Sequence, residues 1–313
     1  MTSQPGDLAQ LLRTVRLALQ QENYPEAINA LEQAVALATE AGDHAAQARH
    51  LGNLALIYYR GGQPEAALAA FDQALTNARA DGDRLTEDGL LGNKGNVLRE
   101  LRRYNEAISH LNQALLIAQE IGDVRGRGIW LSNLGLLQDD LDNPAEAIPL
   151  HREAAAVARS LRDQRGLATR LIHLSNSHLA ANEPAEAIKA LHECVVAHIA
   201  VGDKAEAAYR MATIGNINTD LGRASGTQFE AELYYSMATD AFRDALALIR
   251  EIGDPVAEAD LLYSLGSAAG NRGQIDPAII HFSEALRLYE SLGLSDRAAE
   301  VQHNLDLARQ MQG

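Results

Sequence analysis

Between residues 51 and 71 the chain reads LGNLALIYYRGGQPEAALAAF, with apolar positions three and four apart on both sides of a Gly-Gly-Gln-Pro break. That spacing predicts two short helices joined by a turn. One residue is out of keeping: Asn53 stands inside the first helix, although asparagine is a mediocre helix former that competes for backbone hydrogen bonds. The pattern returns with a fixed step. Gly-Asp occurs at Gly42-Asp43, Gly82-Asp83 and Gly122-Asp123, becomes Arg162-Asp163, and returns at Gly202-Asp203, each forty residues after the last. The next pair, Gly253-Asp254, comes after fifty-one, so one repeat carries an eleven-residue insertion; Gly293 follows forty later, with Ser295 in place of the Asp. Glycine can end a helix in the left-handed conformation and the following Asp can cap the next helix, so the pair punctuates a series of helical hairpins.

Small residues keep the same step at Ala27, Ala67, Ala107, Ala147, Ala187, Ala238 and Ala278, and again at Ala34, Ala74, Ala114, Ala154, Cys194, Ala245 and Ala285. Both series let helices approach closely. Between them lie the bulkier Leu31, Phe71, Leu111, Leu191, Phe242 and Phe282, with His151 as the exception, while Leu54, Leu134 and Leu265 precede Ala55, Gly135 and Gly266. This arrangement resembles the tetratricopeptide repeat family, in the longer-helix subclass found in LGN/Pins-type adaptors and kinesin light chains. The resemblance covers about residues 8–294 and implies an all-α, right-handed α-solenoid of seven hairpins, 8–43, 44–83, 84–123, 124–163, 164–203, 204–254 and 255–294. Residues 1–7 are expected as a tail and 295–313 as a capping helix, with Ala298, Val301, Leu305 and Ala308 on its inner face.

Length then bears on the architecture: 313 residues suit either two or three globular domains or one repeat array, and the scarcity of aromatics, 4%, favours the helical array. The single cysteine, Cys194, cannot form an internal disulfide, the opening MTSQPGDLAQ lacks the features of a signal peptide, and no run of about eighteen apolar residues occurs, so a cytoplasmic location is expected. A formal charge of −15, from 27 basic and 42 acidic residues, repels nucleic acid and anionic lipid. Catalytic patterns are missing as well. Cys194 and His198 are four apart but have no further ligand at suitable spacing, and Cys194 occupies a recurrent small-residue position of helix B. The run GLLGNKGN superficially imitates a phosphate loop, yet it follows no strand, and Gly95 falls on the family's helix-packing position. Trp130 is expected to pack between adjacent hairpins, with a surface role as the alternative. No enzyme activity, metal or cofactor is expected.

Forty-residue steps from Asn53 reach Asn93, Asn133, His173 and Thr213, then Ser264 and Asn304 beyond the insertion. One turn further along helix A the series is Leu56, Asn96, Leu136, Asn176, Asn216 and Ser267. The resemblance implies that helix A lines a concave groove in which such amides hold the backbone of an extended peptide, to which an amide can both donate and accept. Arg49, Asn53, Asn93, Asn96, Arg99, Asn133, His173, Asn176 and Asn216 are the candidate groove residues; the alternative, that these amides bond neighbouring helices, stays open. Arg13, Arg16, Arg49, Arg60 and Arg99 precede Glu100, Asp139, Asp140, Asp220 and Asp260 on inward positions, so the N-terminal end of the groove is expected to be positive and to suit an acidic segment. Arg49 and Asn53 imitate half of a carboxylate clamp, but Asn93 stands where the clamp needs a base.

The implied function is a non-enzymatic scaffold or adaptor that binds a protein or peptide segment; the alternative is a regulatory peptide sensor acting through a separate output partner. The insertion is expected to lengthen one helix, from about Gln228 to Ile252, by placing the eleven added residues at its N-terminal end. Phe229, Leu233 and Met237 would then form a stripe with Tyr234 and Tyr235 beside it, as a docking or self-association surface or as a cover for the neighbouring hairpin.

Overall fold

The computed structural model describes residues 5–312. Among the described residues there are fifteen α-helices and no strand: α1 Pro5–Gln20, α2 Tyr24–Glu40, α3 His44–Arg60, α4 Pro64–Asp81, α5 Arg84–Glu100, α6 Tyr104–Ile121, α7 Val124–Asp140, α8 Pro144–Ser160, α9 Gln164–Ala180, α10 Pro184–Ala200, α11 Lys204–Ala224, α12 Gln228–Ile252, α13 Pro255–Asn271, α14 Ile275–Ser291 and α15 Ser295–Gln312. The tail expected over residues 1–7 lies partly outside the described residues, and α1 already begins at Pro5. The chain divides into two compact units, one through Val157 and one from Ala158. Each is a stack of antiparallel helical hairpins.

The Gly-Asp punctuation works as its chemistry requires. The Asp43 carboxylate accepts the Ala46 N–H at 2.8 Å, Asp83 that of Thr86 at 2.9 Å and Asp123 that of Gly126 at 2.9 Å, while Gly42, Gly82 and Gly122 take φ of 66°, 71° and 73°. Arg162 holds the same left-handed conformation at φ 55° without glycine's freedom.

Inside the hairpins the small and bulky series interlock. A Cβ added at Gly95 would come within 2.7 Å of Leu111, at Gly135 within 2.5 Å of His151, at Gly215 within 2.5 Å of Phe242 and at Gly266 within 2.6 Å of Phe282. Each glycine is the hole for a knob on the second helix. His151, the exception among the bulky residues, is fully buried and meets its Nε2 with Asp139 Oδ2 at 2.8 Å. In the second unit α15 closes the stack with Val301, Leu305 and Ala308 buried.

The insertion is distributed differently from the expectation. α12 spans Gln228–Ile252 as expected, but α11 is lengthened too: it has 21 residues against 17 in α3, and α12 has 25 against 18 in α4. Four and seven residues are close to one and two helical turns, so both helices keep their inner faces in phase while the three-residue loop moves outward. Gly222, which by the forty-residue step corresponds to the left-handed Gly62, therefore lies within a helix. Its lack of a side chain is used for packing, since a Cβ there would meet the Tyr235 ring at 2.6 Å.

Candidate functional site

In the first unit the opening helices of successive hairpins, α3, α5 and α7, pack side by side. Their register is fixed by two close approaches. A Cβ at Gly52 would come within 2.5 Å of Leu90, and one at Gly92 would strike the Trp130 ring. Trp130 is thus buried between adjacent hairpins, and its indole N–H donates to Asp88 Oδ1 at 2.5 Å. Asp88 is 1% exposed; burial pushes its carboxyl up to about 6, the Trp130 hydrogen bond opposes that, and the nearby Asp123 carboxylate adds to it.

This packing presents the polar positions of helix A. Arg49 and Asn53 are exposed, and Asn93, Asn96 and Asn133 are half-buried. Among the described residues none of these four amides makes a side-chain hydrogen bond, so they are not bonding neighbouring helices. Charge is arranged differently from the sequence expectation. Arg99 is not a free cation: its Nη1 lies 3.6 Å from Asp140 Oδ2, and Glu100 accepts the Tyr59 hydroxyl at 2.6 Å. Both pairs join one A helix to the next, which uses up charge of both signs at that end of the face. Arg13, Arg16, Arg49, Arg60 and Arg125 make no ion pair among the described residues.

The remaining candidates lie in the second unit. His173 on α9 is half-buried, and its main-chain oxygen accepts the Ser177 hydroxyl at 3.0 Å; Asn176 on the same helix and Asn216 on α11 are exposed. In the extension Phe229 is 81% exposed, Leu233 and Met237 are exposed, and Tyr234 is half-buried. Tyr235 does not belong with them. It is buried on Gly222 inside the hairpin, because the lengthened α11 supplies a hole for it.

Residues that imitated chemistry have structural partners. The Lys94 ammonium on α5 is buried against the preceding hairpin, where it meets Asp72 Oδ1 of α4 at 2.5 Å. Cys194 is fully buried, burial pushes its thiol up to about 11, and its Sγ–H points to the Ala168 carbonyl at 3.5 Å. Among the described residues no group of three His, Cys, Asp or Glu is placed to hold a metal ion, and no helix is long and apolar enough to cross a membrane.

Comparison with known proteins agrees with this architecture. The family model described as tetratricopeptide repeat matches residues 7–80 and 88–160, and the one described as anaphase-promoting complex subunit 5 matches residues 167–219. The chain thus resembles tetratricopeptide repeat proteins in sequence as well as in fold. No curated protein matches it. Among solved structures, aspartyl phosphate phosphatase F from Bacillus subtilis aligns at 16% identity and TM-score 0.60 over 90% of this chain and 70% of that one. A signal transduction ATPase with a tetratricopeptide repeat sensor from Pyrococcus horikoshii aligns at 16% identity and TM-score 0.60 over 99% of this chain and 50% of the other. A kinesin light chain with tetratricopeptide-like repeats from Podosopora anserina gives 18% identity and TM-score 0.53 over 64% of this chain and 98% of its own. At these identities the likeness is one of fold.

Proposed function

We propose that the first unit is a non-enzymatic interaction module that holds an extended segment of another protein along α3, α5 and α7. The observation that carries this is the set of amides at Asn53, Asn93 and Asn133, which recur in consecutive repeats, reach solvent and have no hydrogen-bonding partner within the described residues. An amide that both donates and accepts matches a peptide unit without selecting its side chain. The unpaired arginines on the same helices favour an acidic segment. Changing Asn93 and Asn133 together to Ala should weaken binding of a peptide selected by the wild-type protein by about 1–3 kcal/mol, the cost of leaving polar groups without partners. Helicity and melting should hardly change. A variant that melts early and binds normally once folded would return the amides to a structural role.

A sensor acting through a separate partner is the second reading, and the tetratricopeptide repeat sensor of the Pyrococcus protein supports it. It requires a bound peptide to change the protein's shape. Identical small-angle scattering with and without the selected peptide would leave the adaptor reading alone.

A further inference from the structure

Gly89 sits in the interior of α5, where glycine costs helix stability relative to alanine, and the usual reasons for it are missing. Its φ is not left-handed, and a Cβ built on it would meet nothing within 4 Å. Its neighbours in sequence differ: a Cβ at Gly92 or Gly95 would strike Trp130 or Leu111. Gly89 lies one helical turn before Asn93, and the forty-residue step gives Arg49 and Ile129 the same position on the flanking α3 and α7. Leu85, one turn earlier on α5, is 62% exposed and Ile129 is 37% exposed. Gly89 therefore leaves an open notch on α5, with exposed apolar residues one turn away on the same helix and at the equivalent position of α7. Arg49, and Arg125 at the position of Leu85 on α7, are exposed and make no ion pair among the described residues. Asp83, whose carboxyl Arg49 helps to hold below its ordinary value, is already engaged with the Thr86 N–H and hydroxyl.

Resting on the groove reading above, we infer that Gly89 is the specificity-determining point of that face: a linear peptide crosses α5 with its main chain against Gly89 and seats a bulky apolar side chain between Leu85 and Ile129. The flanking arginines assign a carboxylate to an adjoining position of the same peptide. The notch has no space to spare for a methyl group once a main chain lies on it, although the unbound protein has ample room for one.

The test uses the full chain. Linear peptides selected from a random phage-displayed library on the wild-type protein are resynthesised with a fluorophore and titrated by anisotropy against wild type, Gly89→Ala and Gly270→Ala. Gly270 in the second unit likewise has nothing within 4 Å of an added Cβ. The expected result is that selected peptides share an apolar residue beside Asp or Glu and that Gly89→Ala melts higher than wild type but binds at least tenfold more weakly. Gly270→Ala should bind as wild type. Unchanged affinity in a well-folded Gly89→Ala variant overturns the notch while leaving the groove in place. Failure to select any peptide, or selected peptides indifferent to the Asn93→Ala and Asn133→Ala pair, overturns the groove reading and the notch with it.

Discussion

The same helix A position is polar in both units, yet its hydrogen-bonding capacity has different fates. In the first unit Asn53, Asn93 and Asn133 keep amides with no partner among the described residues. In the second, Thr213 donates to the Tyr209 carbonyl at 2.9 Å, Ser264 to the Asp260 carbonyl at 3.0 Å, and Asn304 Nδ2 to the Tyr263 hydroxyl at 2.9 Å. A short hydroxyl satisfies itself one turn back on its own helix, whereas an outward amide needs a partner from elsewhere. Charge shows the contrast at particular residues only: Arg49 and Arg125 on the first unit's A helices stand without an ion pair among the described residues, although Arg99 is paired with Asp140, while Asp260 in the second is held by the Tyr289 hydroxyl at 2.5 Å and Arg297 at 2.6 Å. A repeat fixes where a residue points. Residue type and what the next helix offers then decide whether it finds a partner inside the fold, as Asn304 does with Tyr263, or keeps its amide unpaired among the described residues, as Asn53 does.

The largest effects should come from the glycines that set the close approaches. Gly92→Ala would drive a methyl into Trp130, which is confined between two helices, and should destabilise the first unit by about 3 kcal/mol. Gly222→Ala meets the Tyr235 ring near the end of a hairpin, where the helices have more freedom to part, and should cost the second unit about 1–2 kcal/mol. Trp130 is the chain's one tryptophan and reports on the first unit alone, while circular dichroism reports on both. Gly92→Ala should therefore lower the fluorescence midpoint, and Gly222→Ala only a dichroism phase. Equal shifts of both probes in either variant would show that the two units unfold together and would remove the energetic side of the comparison.

Asp88 gives the first unit a pH dependence of its own. Its folded-state value near 6 exceeds that of an unfolded aspartate, so its contribution is fully present below about pH 4 and is lost as pH rises through about 6. The protonated form is the one that folding favours. The rise above the ordinary aspartate value corresponds to at most about 3 kcal/mol, and relaxation around the buried group would reduce it. Asp88→Asn keeps an acceptor for the Trp130 N–H and removes the charge; it should raise the fluorescence-detected stability at about pH 7.5 by about 1–3 kcal/mol and change it little near pH 4. Parallel pH profiles for wild type and variant would exclude ionisation of Asp88 as a cost of folding.

Much of this was legible in the forty-residue step, because a translational repeat turns sequence spacing into position on a face. The shared helix A position of Asn53, Asn93 and Asn133 follows from it directly, as does the burial of the recurrent alanines. Pairing across repeats did not follow. Arg99 and Asp140 are forty-one residues apart, and Tyr59 and Glu100 likewise, so their contact depends on the offset between neighbouring helices, which the packing at Gly52 and Gly92 sets. The insertion hid a second feature. Its length suggested added turns, but how these were shared between α11 and α12 depended on Gly222 becoming a hole for Tyr235, which withdrew that tyrosine from the exposed stripe. Gly89 opens the run that imitates a phosphate loop, and with only Gly95 of that run matched to a packing position nothing set Gly89 apart; the signal available was the series Arg49, Gly89, Ile129 at the same step.

The smallest effect expected is electrostatic, and it sharpens the division between the units. Arg49 and Arg125 are exposed, so each contributes only about 0.5–1 kcal/mol to holding a carboxylate, but together they should steer an acidic peptide toward the first unit. Arg49→Glu with Arg125→Glu should slow association of a selected acidic peptide several-fold at low salt, leave dissociation less affected and flatten the dependence of the rate on ionic strength. Arg165 holds on α9 the place that Arg125 holds on α7 and is also exposed, yet it lies in the second unit, so Arg165→Glu should change the association rate far less. Stopped-flow fluorescence of the labelled peptide across a salt series separates these cases. If Arg165→Glu slows association as much as the first pair, steering arises from the net charge of the whole chain, and the arginines of the first unit lose their special place.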